Sequence, residues 1–413
     1  MKQTARIIST YSADVMGVCS ALFELGGMTV MHDASGCNST YTTHDEPRWF
    51  DMDSMIYISG LSEIEAIMGD DEKLFGDIEE TAAAQHPAFI AISGSPISAM
   101  TGFDYEAAAE VLEQRTGIPC FGFPTTGMNT YVHGVSMAFE KLTQRLVDEP
   151  DEKSAGLPLG VFSAGSGKAG FLQKVKVNII GLTPLDFSVN GTDRSLAEWL
   201  EGNGFEVVSK WAMGSTLDEL KRSGEADVDL VVSASGIAAA EVLRSRCGIP
   251  YVVGMPIGSE QSSLLKQELM DAALVSRAAG HTGGRDAASK REPVCVRSDL
   301  EGRDVVLIGE GVTNLALATA IELETGRPAR VLCATECPDG ILRAKDAIAP
   351  DEDDIIPELT DAKVIIADPL YRPICPDSAR FIGLPSEAFS GRIYRNDIPD
   401  LIRSPEAVLD LLK

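Results

Sequence analysis

The sequence predicts an α/β protein built from three doubly wound, Rossmann-like domains with parallel sheets. Two observations predict it. An apolar strand, a helical stretch and a Gly-(Ile/Leu)-Pro tripeptide recur in that order three times along the chain. The strands are continuous apolar runs rather than alternating ones, as expected where crossover helices cover both faces of a sheet.

In the first unit Phe89-Ile90-Ala91-Ile92-Ser93 pairs with Gly117-Ile118-Pro119. In the second, Leu230-Val231-Val232-Ser233 pairs with Gly248-Ile249-Pro250, and in the third Val364-Ile365-Ile366-Ala367 pairs with Gly383-Leu384-Pro385. The glycine ends a helix and the proline opens the next extended segment, because proline cannot continue the helix. Earlier strands are expected at Val177-Asn178-Ile179-Ile180-Gly181 and Val305-Val306-Leu307-Ile308-Gly309. Domains are expected over 1–155, 156–290 and 291–413, the last ending in a helix. The polar, glycine-rich stretch from Gly280-His281-Thr282-Gly283-Gly284-Arg285 to Lys290 reads as a linker.

Composition narrows the function. A chain of 413 residues suits roughly two to four domains, and 44 % apolar content is ordinary for a folded soluble protein. No apolar run approaches the ~20 residues of a membrane span. Asp14, Glu24 and Asp33 interrupt the N-terminal region, so no cleaved signal peptide is expected and the default location is cytoplasmic. A net charge of −27 argues against nucleic acid or an anionic membrane as partner. Eight cysteines over this length are too sparse for a disulfide scaffold and fit reduced thiols.

The segment Met31-His32-Asp33-Ala34-Ser35-Gly36-Cys37 sets a thiol on a turn after an apolar strand, well placed for a metal cluster or a partner. Two glycine-rich segments invite a phosphate reading. Gly165-Ser166-Gly167-Lys168-Ala169-Gly170 fails the phosphate-loop spacing and precedes its strand, so it reads as a turn or lid between domains. Gly309-Glu310-Gly311-Val312-Thr313-Asn314 follows a strand and opens a helix whose first amides face a possible anion, although Asn314 replaces its third glycine. Cys333 and Cys337 form a C-x3-C pair with no second pair nearby, which weakens a zinc reading. Cys120 and Cys247 flank Gly-Ile-Pro turns as core thiols, and Cys295 and Cys375 carry no motif.

Further local matches accumulate. Gly17-Val18-Cys19-Ser20-Ala21-Leu22 leads to His32 and Gly36-Cys37; Ile67-Met68-Gly69 precedes Lys73-Leu74; Ile92-Ser93-Gly94-Ser95-Pro96 runs to Gly102-Phe103-Asp104. With Val177-Asn178-Ile179-Ile180-Gly181, Ala367-Asp368-Pro369 and Gly383-Leu384-Pro385, their order and spacing resemble the nitrogenase component 1 family over nearly the whole chain. That family holds subunits of the molybdenum–iron protein, cofactor-assembly scaffolds and tetrapyrrole reductases. The resemblance implies pairing about a two-fold or pseudo-two-fold axis, as a homodimer or a heterotetramer with a related subunit. It also implies an iron–sulfur cluster of the [4Fe-4S] type between the first domains. Electrons would come from an ATP-dependent iron protein-like reductase, and a small-molecule or tetrapyrrole substrate would sit between the three domains.

The departures from the family pattern matter as much. Tyr11 or Ser12 stands where a first cluster cysteine is placed, and Ser95 stands where a later one is. Only Cys37 clearly survives. The position of the molybdenum-cofactor cysteine falls near Ser233, and no histidine follows His281, so dinitrogen reduction on that cofactor by this chain alone is rejected. A cluster needs about four thiolate or equivalent ligands. Cys37 and Cys19 are therefore the metal candidates, with Ser95, Ser12 or Asp33 as oxygen donors or a second, cysteine-rich subunit supplying the rest. Tyr11, Ser12, Ser95 and His44 are candidates to line the cofactor pocket. Cys19 also reads as a small buried residue of an apolar helix, and His44 as a solvated loop histidine. The leading function is an oxidoreductase subunit. The alternatives are a metallocluster or tetrapyrrole assembly scaffold and a cluster-free ligand-binding subunit.

Overall fold

The structure, a computed structural model, describes residues 5–34, 36, 38, 41, 45–149, 174–290 and 294–412, with 278–290 described by backbone alone. It contains three parallel sheets with helices between their strands. In the first unit α1 (Asp14–Leu22) leads into β1 (Met28–His32) and β2 (Met55–Ile58). Helices α2 (Glu63–Met68) and α3 (Glu72–Gln85) cross to β3 (Ile90–Gly94). Helices α4 (Pro96–Thr101) and α5 (Tyr105–Thr116) cross to β4 (Cys120–Phe123), and α6 (Tyr131–Leu146) follows.

The second unit runs β5 (Val175–Ile180), α7 (Pro184–Phe187), α8 (Thr192–Gly202), β6 (Phe205–Lys210) and α9 (Leu217–Lys221). It continues through β7 (Val228–Val231), α10 (Ile237–Cys247), β8 (Tyr251–Val253), α11 (Ser259–Lys290) and β9 (Val294–Cys295). The third begins with β10 (Val305–Gly309), α12 (Gly311–Thr325), β11 (Ala329–Cys333), β12 (Ala347–Ile348) and α13 (Glu352–Glu358). It ends with β13 (Val364–Ala367), β14 (Arg380–Gly383), α14 (Glu387–Ser390) and α15 (Glu406–Leu409).

Strand orders are β2-β1-β3-β4, β6-β5-β7-β8-β9 and β12-β11-β10-β13-β14. Each sheet therefore reverses direction of growth once, at β1/β3, β5/β7 and β10/β13, which makes all three doubly wound. In such sheets ligands bind beyond the carboxyl ends of the strands at the reversal. The central strands are buried on both faces, and the one acid among them, Asp229 of β7, accepts from Asn178 of β5 at 2.7 Å.

Gly117 and Gly248 end α5 and α10 with φ of 71° and 74°, the left-handed cap expected of the first two Gly-Ile-Pro tripeptides. The third tripeptide differs. Gly383 closes β14, paired with Ala367, so no helix precedes it. The expected linker at 280–290 is also corrected, because the backbone of α11 stays helical to Lys290. Once Leu265, Leu269, Ala272 and Ala273 have anchored the helix, each added turn propagates it without a new nucleus, and its glycines cost only about 1 kcal/mol each. Beyond residue 290 the chain first adds β9 to the second sheet before opening the third. The turn read at Gly165–Gly170 lies outside the described residues. No helix among the described residues is long and apolar enough to cross a membrane.

Helices α1 and α6 touch backbone to backbone. A Cβ on Gly17 would stand 2.2 Å from the Tyr131 carbonyl oxygen, and one on Gly134 only 1.8 Å from that of Asp14. This contact fixes Tyr131, whose amide donates to the Ser12 carbonyl at 3.0 Å. Gly134→Ala should therefore lower the midpoint of chemical unfolding by the equivalent of about 1–3 kcal/mol or more. Gly76→Ala, in an open position of α3, should raise it by up to about 1 kcal/mol. Equal midpoints for the two variants would contradict the close approach.

Candidate functional site

Two regions carry chemistry, and the first surrounds the cysteine turn. Cys37 and His44 lie outside the described residues, but both flanks of their loop are anchored. On the near side, the His32 imidazole Nδ1 lies 3.0 Å from the Ser59 hydroxyl and its ring packs on Phe103 with centroids 4.4 Å apart. On the far side the buried Arg48 guanidinium donates to Glu46 at 2.7 Å, Glu24 at 2.9 Å and the Ser20 carbonyl at 2.8 Å. Glu46 in turn accepts from Tyr41 at 3.0 Å, and Tyr11 donates to Asp45 at 2.9 Å. The described residues on either side of Cys37 are thus held by hydrogen bonds and ring packing.

The other expected residues have definite places. Ser95 is fully buried, caps α4, and donates to the His32 carbonyl at 3.0 Å, so its hydroxyl is committed to positioning the strand ends. Tyr11 and Ser12 dock by their amides on the Ala388 carbonyl of the third unit at 3.1 and 3.0 Å. Cys19 packs with Val15, Phe23, Met31 and Tyr41, and burial pushes its thiol up to about 12. A protonated thiol in an apolar cluster is inert. This packing matches the reading of Cys19 as a small buried residue of an apolar helix. Burial likewise pushes the His32 imidazole down to about 4.

Around Ser95 the surface is unusually apolar. Ile64, Ile67 and Met68 of α2, Met100 of α4 and the neighbouring Met128 are 74–88 % exposed. Helices α2 and α4 are neighbours, and Gly127 sits against Pro96 at the start of α4, so these exposed side chains come from adjoining elements. Exposed apolar area of this kind marks an interaction surface.

The second region is a cleft between the second and third units, at the carboxyl ends of β10 and β13, where the third sheet reverses. It encloses about 670 Å³ of empty space, counting its open mouth. Phe187, Met255, Leu384 and Phe389 form its apolar wall, while Asp186, Glu310 and Asp368 supply carboxyls. Among the described residues no lysine, arginine, histidine or cysteine lines it.

Glu310 accepts from the amides of Val312 at 3.1 Å and Thr313 at 2.7 Å, and from Ala234 of the second unit at 2.9 Å. The helix N-terminus read as an anion seat is therefore filled by the chain's own carboxylate, which corrects that expectation. Asp368 accepts from Leu370 at 2.9 Å and Ser386 at 3.0 Å. Asp186 receives the Tyr131 hydroxyl on Oδ1, while its Oδ2 is buried without a hydrogen-bond partner. The Ser233 hydroxyl stands close enough to favour the ionised form, though outside hydrogen-bond geometry. Burial raises the affinity of Asp186, Glu310 and Asp368 for protons, and the nearby Glu310 charge raises that of Asp186 further.

Ser233 thus borders the acid pair, and among the described residues no thiol or imidazole lines the cleft. Cys333 and Cys337 lie behind Gly311, where a Cβ would stand 3.2 and 2.8 Å from their sulfurs. Among the described residues no group of three histidine, cysteine or acidic side chains can hold a metal ion. The sequence reading missed Asp186 and the acid role of Glu310 and Asp368. For the latter two a signal existed, since each follows a strand at the sheet's reversal.

The fold defines a three-sheet, doubly wound α/β protein with a cleft between its second and third units. The chain belongs to the nitrogenase component 1 type oxidoreductase family, whose pattern matches residues 14–365. It is 27 % identical over 222 residues to the nitrogenase iron-molybdenum cofactor biosynthesis protein NifE of Methanosarcina barkeri, covering 52 % of this chain and 44 % of that protein. It is 33 % identical over 110 residues to a light-independent protochlorophyllide reductase polypeptide of Chlorobium phaeobacteroides, covering 26 % and 20 %. The chain spans about half the length of the cofactor biosynthesis relatives that it matches. A solved structure titled nitrogenase Cp1 at pH 5 superposes with a TM-score of 0.62 at 14 % identity, covering 99 % of this chain and 89 % of that one. This last likeness shows the fold alone.

The anchored His32 yields a test. Its folded-state value lies below the ordinary 6.5, so the neutral ring's contribution to stability is complete above about pH 6.5 and is lost as pH falls towards 4. Imidazole NMR should show His32 neutral down to about pH 5. Protonation near 6.5 would contradict the burial.

Proposed function

We propose that this chain is the substrate-binding subunit of a nitrogenase-like oxidoreductase acting on an organic small molecule. The carrying observation is the cleft, which has a ligand's position in the fold but, among the described residues, no thiol or imidazole to hold a metallocofactor. In this reading the chain pairs with a second component 1-type subunit through the apolar face of α2 and α4. Single electrons come from an ATP-dependent iron protein-like reductase.

The iron–sulfur cluster of the family is only partly provided for. The described residues do not complete one: Ser95 is committed to its cap, Cys19 is a packed thiol, and no ligand triad exists among them. Cys37 is the one ligand we assign, and the partner subunit supplies the remainder of the roughly four ligands needed. No step of a reduction is derived through it.

A second reading is supported by the relatives named as cofactor biosynthesis proteins. There the chain is a scaffold or carrier that binds its cargo without turnover. ATP-dependent substrate reduction with a cognate reductase separates the two.

Iron and acid-labile sulfide in anaerobically purified protein test the first reading. About two irons or more per chain, lost in Cys37→Ala, are expected for a cluster shared between two subunits. No iron in either sample, even with the natural partner co-expressed, would overturn it. For the interface, Met100→Glu and Ile67→Glu should leave the circular dichroism of the chain unchanged, since both side chains are exposed on the single chain. Both should convert the dimer to monomer by light scattering. An unchanged dimer would place the interface elsewhere.

A further inference from the structure

We propose that the cleft selects its ligand by charge, taking an amphipathic molecule with a cationic or N–H donor end and rejecting carboxylate- or phosphate-bearing ones. The inference rests on the reading that this cleft is the ligand site and deepens it by naming the ligand class.

Three observations converge. The first is the wall chemistry. Asp186 and Glu310 lie side by side and Asp368 lines the same cleft, yet among the described residues no cationic side chain does. Arg395, which reaches this end of the molecule, is held by Glu387 at 2.8 Å. Burial and the neighbouring Glu310 favour a protonated Asp186, so a bound cation gains by displacing that proton and pairing with the carboxylate, whereas an incoming carboxylate or phosphate finds no cationic side chain among the described lining residues to neutralise it.

The second is the set of unused polar groups. Asp186 Oδ2 is buried without a partner, and so is the Thr313 hydroxyl, which stands near Glu310 but outside hydrogen-bond geometry. Asn314 is 7 % exposed and lines the cleft, and its side-chain amide makes no hydrogen bond to the described residues. Buried polar groups are normally paired, so the Asp186 oxygen and the Thr313 hydroxyl are what a bound polar group or ordered water satisfies, with the Asn314 amide beside them on the cleft wall. The carboxyl oxygen calls for a donor, and the hydroxyl and amide serve either role.

The third is the opposite wall. Phe187, Leu384 and Phe389 offer apolar surface to the rest of the ligand. The net charge of −27 adds a field that concentrates cations and repels anions before they arrive.

Calorimetric titration of the full-length protein with three probes of one shape tests this: 2-phenylethylamine, 2-phenylethanol and phenylacetate. The amine should bind at least about tenfold more tightly than phenylacetate, with the alcohol between them. Asp186→Asn should weaken the amine at least about fivefold and narrow the ratio, with its circular dichroism unchanged. Asn314→Leu, a neutral change, should weaken amine and alcohol together and leave their ratio in place. The wild-type ratio decides even if a variant fails to fold.

Phenylacetate binding as tightly as the amine would overturn the proposal. So would no binding of either up to about 10 mM, where a ligand of this size is already detectable. Amine binding that Asp186→Asn leaves untouched is surface charge alone and overturns it as well. Iron content measured on the same preparation keeps the two ideas apart. Iron without charge selection sinks only this inference, and charge selection without iron sinks only the electron-transfer reading.

Discussion

The structure depends on a buried knot of three side chains, one from each unit. Tyr131 on α6 donates to Asp186 at the carboxyl end of the second sheet. Asp186 faces Glu310, which opens α12 in the third unit and accepts the Ala234 amide back from the second. Burying two adjacent carboxyls is unfavourable unless amides and hydroxyls replace the lost water. Here three backbone amides hold Glu310 and a phenol holds Asp186. The same bonds that offset the desolvation cost therefore lock the three sheets at one relative setting, and the cleft is the space this setting leaves.

From that constraint the two functional regions acquire their separation of roles. The described residues flanking Cys37 belong to the first unit, which also carries the exposed apolar side chains of α2 and α4. The cleft lies between the other two units, walled by carboxyls and apolar side chains. Tyr11 and Ser12 link the regions mechanically, because their amides dock on Ala388 of α14 while Tyr11 grips Asp45 beside the cysteine loop.

Much of this is legible in the sequence. Val305–Gly309 is apolar at every step, so a strand buried on both faces follows from composition alone. Gly117 and Gly248 announce helix ends because only glycine takes φ near 70° without strain. Other features depend on distant partners. The helix that runs on to Lys290 is set by packing earlier in α11, which overrides its local glycines. The turn at 309–314 looks like an anion seat until Glu310 is seen to fill it. Asp186 has no local signature, since its character comes from Tyr131, 55 positions away, and from Glu310 in another unit.

The central claim is that metal chemistry belongs at the cysteine turn and organic ligand chemistry in the cleft. Anomalous scattering at the iron edge from anaerobically grown crystals of the assembled protein tests it most directly. Iron density at Cys37 on the subunit interface, with none beside Asp186 and Glu310, is the expected result. An iron peak inside the cleft would contradict it and make the chain a metallocluster carrier.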